Sequence, residues 1–255
     1  MIDTHAHLDF SQYDKDREKV IEEAFASGLK AIINIGVDLE SSEKSIKLAE
    51  KYKNIYATVG FHPHDASKLN NNTFKELEKL ASHPKVVAIG EIGLDFYRNL
   101  SPEEIQIKAF KEQIELAKKF KLPIVVHIRN AYKKALEILK EKATGMQGVL
   151  HCFSGDENEA REALEMGFYL SFNGTLTYRN SRSAELVKKI PLSSVLVETD
   201  CPYLTPEPLR GKRNEPKLVK LVTQKITELS ASNSFKELDE VFTQNAVEFF
   251  NLDLK

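Results

Sequence analysis

"MIDTHAHLDF", residues 1–10, sets two histidines one residue apart at the end of an apolar start. In a β-strand residues i and i+2 point to the same face, so this spacing aims His5 and His7 at one point in space. Converging imidazoles suggest a metal, although an isolated pair is also common at strand ends that bind nothing. The deciding question is whether other strands end in the same way. Seven more short apolar runs follow: "AIINIGV" (31–37), "IYATVGF" (55–61), "VVAIGEI" (86–92), "PIVVHI" (123–128), "GVLHCF" (148–153), "FYLSFN" (168–173) and "SVLVETD" (194–200). Amphipathic segments separate them, the pattern of β-α units around a parallel sheet. Eight such strands predict an α/β fold, a closed (β/α)8 TIM barrel with no free sheet edge. The alternative, an open doubly wound sheet, lacks a glycine-rich fingerprint after the first strand.

The intervening segments carry helical spacing. In residues 101–120, Ile107, Phe110, Ile114 and Ala117 share a face, and Ser101, Pro102 and Glu104 read as N-cap, first helical position and capping box. Leu218, Val222, Ile226 and Leu229 repeat the pattern after the eighth strand, and Ser234 with Glu237 opens a last helix with a second capping box. With no linker or repeat, one domain spanning 1–255 is expected.

At 255 residues, 42% hydrophobic and 29% charged, the chain has material for a large core. A formal charge of −2 argues against a general nucleic-acid coat, so any such contact must be local. Two cysteines, Cys152 and Cys201, are too few for a disulfide framework and lack zinc-site spacing; both are expected reduced, and strand alternation is expected to turn them away from the site. Because the first strand starts at Met1 and no apolar run spans a bilayer, no signal peptide or membrane span is expected. A cytoplasmic monomer without an obligate protein partner is the expectation.

In a barrel of this kind, functional groups sit at the C-terminal ends of the strands. His5 and His7, Glu91, His127, His151, and Glu198 with Asp200 all fall there. Burying such a set at one mouth would be expensive without a cation or a dense hydrogen-bond network. Imidazole mixed with carboxylate suits Zn²⁺, Mn²⁺, Fe²⁺, Co²⁺ or Ni²⁺ rather than calcium, and the ligand count exceeds what one tetrahedral ion can use. Two divalent ions (Zn, Mn, Mg, Co or Ni) bridged by a carboxylate, with Glu91 nearest the middle of the rim, and a water as nucleophile are the economical reading.

The motifs "DTHAHLD", "VGFHPH", "IGEIGLDFYR", "PIVVHIRNA", "GVLHCFSG" and "VLVETDCPYLTP", followed by "RGKRNEP", cover the chain in order. Together they resemble the TatD family of metal-dependent deoxyribonucleases of the amidohydrolase-like superfamily. The resemblance implies His5, His7 and Asp200 on one metal, His127 and His151 on the other, and Glu91 bridging. It also implies Asp200 as general base and hydrolysis of DNA phosphodiesters, typically from a 3′ end.

Beyond those positions, His62 and His64 after strand 3 read either as donors to the scissile phosphate or as structural groups. Asp95 reads as a group that orients a histidine. Arg129 shares the face of His127 and could reach a phosphate or form a salt bridge. Arg210, Lys212, Arg213 and Lys217 form a local basic patch suited to a DNA backbone. A hydrolase of another ester or amide, such as a D-aminoacyl-tRNA deacylase, remains the alternative, because fold and metals do not fix the bond broken.

Overall fold

The computed structural model describes residues 1–230 and 234–254, and each apolar run becomes a strand: β1 Ile2–Ala6, β2 Ala31–Asn34, β3 Ile55–Val59, β4 Val86–Asp95, β5 Ile124–Arg129, β6 Gly148–Leu150, β7 Tyr169–Phe172 and β8 Val195–Val197. They pair in parallel in sequence order. Between and after them run α1 Arg17–Ala26, α2 Leu39–Lys51, α3 Asn71–Ala81, α4 Glu103–Phe120, α5 Tyr132–Lys142, α6 Glu157–Glu165, α7 Arg182–Val187, α8 Val219–Leu229 and α9 Phe235–Phe250. The expected TIM barrel is what forms. Its first and last strands meet through a parallel bridge, Ala6 to Cys201, where Asp200 N donates to His5 O and His7 N to Cys201 O, each at 2.9 Å. Just below, the buried Asp3 carboxylate accepts from Thr199 N at 2.9 Å and Thr199 Oγ1 at 2.6 Å. The bonds that close the barrel therefore also fix the backbone of three site residues.

The strand interiors are apolar and the ends polar because one parity of each strand faces inward. Val125, Val149 and Leu196, two residues before His127, His151 and Glu198, join one buried cluster with Phe249 and Phe250 of α9. The last helix thus plugs one end of the barrel and leaves the other for chemistry.

Two sequence expectations change. β4 runs three residues past Ile92, so Glu91 lies inside the strand rather than at its end, and Asp95 ends it. Gly93 makes this extension feasible: it pairs with His127 at φ +139°, and a Cβ there would stand 2.0 Å from the His127 carbonyl oxygen. Ser101 does not cap α4, whose N-cap is Pro102 without a side-chain bond. Its hydroxyl instead donates to His64 O at 2.9 Å and accepts from Ser67 N at 3.1 Å, tying the helix start to the loop after β3. The capping box from Ser234 to Glu237 forms as expected.

Replacing Gly93 with alanine should combine a steric clash with an unfavourable φ and lower the unfolding free energy by about 2 kcal/mol or more. Urea titration with an unchanged m value reads this. A loss below about 0.5 kcal/mol would show that the β4–β5 pair accepts a side chain there.

Candidate metal centre

Six of the seven histidines gather at the open end of the barrel, and Glu91 lies among them, 3% exposed. Its two oxygens face different groups. Oε2 lies 3.4 Å from His5 Nε2 and 3.8 Å from His7 Nε2, and these two nitrogens stand 3.7 and 3.4 Å from Asp200 Oδ1. Oε1 lies 2.9 Å from His127 Nδ1, 2.8 Å from His151 Nε2 and 3.4 Å from His62 Nε2. His5 and His7 arise from the i, i+2 spacing, and their Nε2 atoms are 3.2 Å apart; His127 Nδ1 and His151 Nε2 are 3.1 Å apart on neighbouring strands.

The donor set fits divalent metal. An ion held at about 2.0–2.1 Å by nitrogen and oxygen in tetrahedral geometry spaces its ligand atoms about 3.4 Å apart. The atoms around Oε2 lie 3.2–3.8 Å apart, and those of His127 and His151 around Oε1 lie closer, at 2.8–3.1 Å. Imidazole nitrogens facing each other at this distance can share at most one proton, whereas a cation satisfies all of them. The outer nitrogens fit as well, since His151 Nδ1 lies 3.5 Å from Glu198 Oε1 and His127 Nε2 lies 3.6 Å from Asp95 Oδ2. Carboxylates behind ligating histidines hold the ring orientation and raise ligand basicity. Without a cation, protonated imidazoles must supply the positive charge. Burial opposes charging His151, yet Glu91 and Glu198 hold its pKa well above the usual value. Burial also disfavours the charged forms of Glu91 and Asp200, but the surrounding histidines keep both below the ordinary carboxylate range.

Other expected site residues divide. His62 Nδ1 accepts the backbone N–H of His64 at 3.1 Å, so the proton of a neutral ring sits on Nε2, facing Glu91. Burial lowers this imidazole to about 4 and keeps it neutral. It is set as a hydrogen-bond donor towards Glu91, and with Glu91 and His127 it also forms a group of donor atoms close enough to hold an ion. His64 Nε2 bonds to Asp95 Oδ2 at 2.7 Å, while Asp95 Oδ1 accepts the amides of Tyr97 and Arg98. Arg129 has no ion pair among the described residues; its guanidinium lies 4.1 Å over the Tyr97 ring. Arg210 lies similarly over Tyr178, at 4.2 Å. Arg213 departs from the expectation of a phosphate contact: it forms a two-pronged pair with Asp16 at 2.7 and 2.8 Å, reaches Glu215, and covers Tyr13. Lys217 likewise pairs with Glu23 and Glu215. Both cations fasten the loop after β8 to α1 and its approach. Cys152 is not turned away, because β6 ends at Leu150 and a left-handed φ of 47° brings residue 152 to the rim of the cleft. Burial pushes its thiol up to about 12, which favours the protonated form.

Sequence reasoning missed the polar supports beneath the site. Asp9 accepts from Asn34 Nδ2 at 2.9 Å and Ser41 Oγ at 2.8 Å, which anchors the loop after His7. Asn214 donates to Thr199 O and Tyr203 O around Asp200. The partners lie far apart in sequence, and only the "RNEP" stretch hinted at the second.

Comparison with known proteins agrees with this chemistry. A family model described as TatD related DNase matches residues 2–251. The metal-dependent hydrolase YabD of Bacillus subtilis, named as uncharacterized, is 44% identical, with 99% of this chain and 100% of that protein covered. A protein of Citrobacter rodentium named 3'-5' ssDNA/RNA exonuclease TatD is 36% identical over 100% of this chain and 99% of its own length. The crystal structure of YJJV, a TatD homolog from Escherichia coli, superposes with a TM-score of 0.92 at 31% identity, covering 99% and 98% of the two chains. With its barrel, its donor-lined mouth and these relatives, the chain belongs to the TatD family of metal-dependent hydrolases.

Proposed function

We propose that this protein is a nuclease that hydrolyses phosphodiester bonds of DNA from a 3′ end, with two divalent ions held at its barrel mouth. The observation that carries this reading is the division of Glu91 between two donor groups: His5, His7 and Asp200 would share one ion, His127 and His151 the other, and Glu91 would touch both. Ions bound there would polarise the scissile phosphate and lower the pKa of the attacking water. The name of the Citrobacter rodentium relative supports single strands and the 3′ polarity.

The remaining work falls to side chains. Asp200, more exposed than Glu91 at 15% against 4% for the side chains, accepts the proton of the attacking water while the histidines keep it ionised at neutral pH. His62 presents its Nε2–H towards the developing charge on phosphate, with the tautomer fixed by the His64 amide. His64 and Asp95 hold that segment and His127 in place. Arg129 and Arg210, stacked on tyrosines and without acidic partners among the described residues, offer cations to backbone phosphates. Arg213 is left to the loop latch.

Protein prepared without chelator should carry close to two divalent ions, and chelation should abolish hydrolysis of end-labelled single-stranded DNA, with Mn²⁺, Mg²⁺, Co²⁺ or Zn²⁺ restoring it. At about a hundredfold excess over Kd, each bound ion adds about 2.7 kcal/mol, so two should raise Tm by about 10–20 °C. Full activity in metal-free protein would overturn the mechanism, and activity on aminoacyl-tRNA without activity on DNA would favour the amide or ester alternative.

Asp200→Asn keeps shape and an oxygen ligand but loses basicity, so kcat at saturating Mn²⁺ should fall by about 10² to 10⁴. His127→Ala and His151→Ala should respond to excess metal better than Asp200→Asn does. More than about a tenth of wild-type turnover in Asp200→Asn would remove it as the base.

Arg129→Gln and Arg210→Gln should each flatten the salt dependence of single-strand binding by about 0.7 in log–log slope. Arg213→Gln should leave that slope unchanged and lower Tm instead. A flattened slope for Arg213→Gln would return it to the phosphate contacts.

A further inference from the structure

Among the described residues only four large apolar side chains are exposed; two of them, Leu100 and Tyr203, line the cleft over the metal centre, and a third, Tyr97, stands against Arg129 of the same lining. Tyr97 is 61% and Tyr203 50% exposed. Neither backbone is loose. The Tyr97 amide donates to Asp95 Oδ1 at 2.9 Å and the Tyr203 amide to Asp200 O at 2.9 Å, so each ring is hung from an aspartate of the mouth. Tyr203 meets the edge of Phe10, which in turn stacks on the ring of His7 at 4.6 Å, giving an aromatic path from the donor group to solvent. Tyr97 backs the guanidinium of Arg129, which lines the same cleft as Tyr203. Arg129 and Ser154 also line a second open cleft of about 710 Å³ that continues from the first, with Lys133 on its wall.

Exposed, anchored aromatic faces beside unpaired cations are the combination that holds single-stranded nucleic acid, because every base has a π-face and every linkage a negative charge. Resting on the nuclease reading above, we infer that Tyr203 stacks the 3′-terminal base and Tyr97 the base before it, with the rest of the strand leaving along the Arg129–Lys133 cleft. The direction follows from space and charge. A strand of any length needs an open exit lined with cations, and the cleft past Arg129 provides one. A paired base cannot stack on both tyrosines without unstacking its helix, so the same two residues select single strands over duplex.

The test uses the holoenzyme and short single-stranded oligodeoxynucleotides whose last linkage is a phosphorothioate, with 2-aminopurine as terminal or penultimate base. Binding should quench both probes. Tyr203→Leu should restore fluorescence at the terminal position alone, Tyr97→Leu at the penultimate position alone, each with about a five- to hundredfold loss of affinity, and phenylalanine at either position should rescue. A wild-type measurement needs no variant: an abasic 3′-terminal residue should cost a similar factor. Equal quenching in wild type and both leucine variants, or equal affinity for abasic and base-bearing strands, overturns the inference. Failure of the two readings is separable. A wild-type enzyme that quenches both probes but leaves unmodified strands intact refutes the nuclease and keeps the stacking sites, whereas cleavage without quenching does the reverse.

Discussion

Everything at the open end of this barrel depends on one buried carboxylate. Glu91 has nitrogen within 3.8 Å of either oxygen on every side that the structure records, and it sits where its own desolvation would otherwise expel a charge. Burying an anion is strongly unfavourable unless it is paired and hydrogen-bonded. The barrel meets that demand by bringing histidines from β1, β5 and the ends of β3 and β6 to one point, a convergence that only a closed parallel sheet offers. Burial opposes charging His151, but Glu91 and Glu198 hold its pKa well above the usual value. A cation taking the His151 nitrogen that faces Glu91 would need that nitrogen unprotonated, so metal binding there would be coupled to proton release.

Much of this was legible in the sequence because the decisive signals are local. Alternation places His5 beside His7 whatever the tertiary fold, and eight apolar runs with polar ends need only be counted to suggest a barrel. The position of Glu91 within its strand was not legible. "GEIGLD" reads as a strand breaking at Gly93, and only the register with His127 reveals that the glycine instead permits the strand to go on past its neighbour. Ser101 misled for a related reason: its spacing to Glu104 is that of a capping box, but a loop distant in sequence competes for its hydroxyl and wins.

Charge was the least legible property. Arg210, Lys212, Arg213 and Lys217 look alike as a basic run, yet Arg213 and Lys217 meet acids near residue 20 that no local pattern could pair with them. The ordering is physical. A guanidinium that finds a carboxylate in two-pronged geometry, with an aromatic face behind it, is worth more as a latch than as a solvated charge. Arg129 and Arg210, by contrast, have aromatic neighbours and no ion pair among the described residues.

The same economy explains the strained backbone at this end. Asn130, Cys152, Asp200 and Leu204 all adopt left-handed φ between 47° and 55°, and all lie just past β5, β6 or β8. Each such residue costs of order 1–3 kcal/mol and persists only where the surroundings over-determine it. Here the surroundings are identifiable: Cys152 N donates to Glu198 Oε1 at 2.8 Å, Asp200 N to His5 O, and Asn214 grips both Thr199 and Tyr203. The turn at Cys152 lets His151 face Glu91 while Glu198 stands behind it. The turn at Asp200 sets its carboxylate against His5 and His7 on one side and sends Tyr203 outward on the other. Strain and hydrogen bonding at the mouth are thus two sides of one requirement, that the chain reverse direction immediately after each side chain it has delivered.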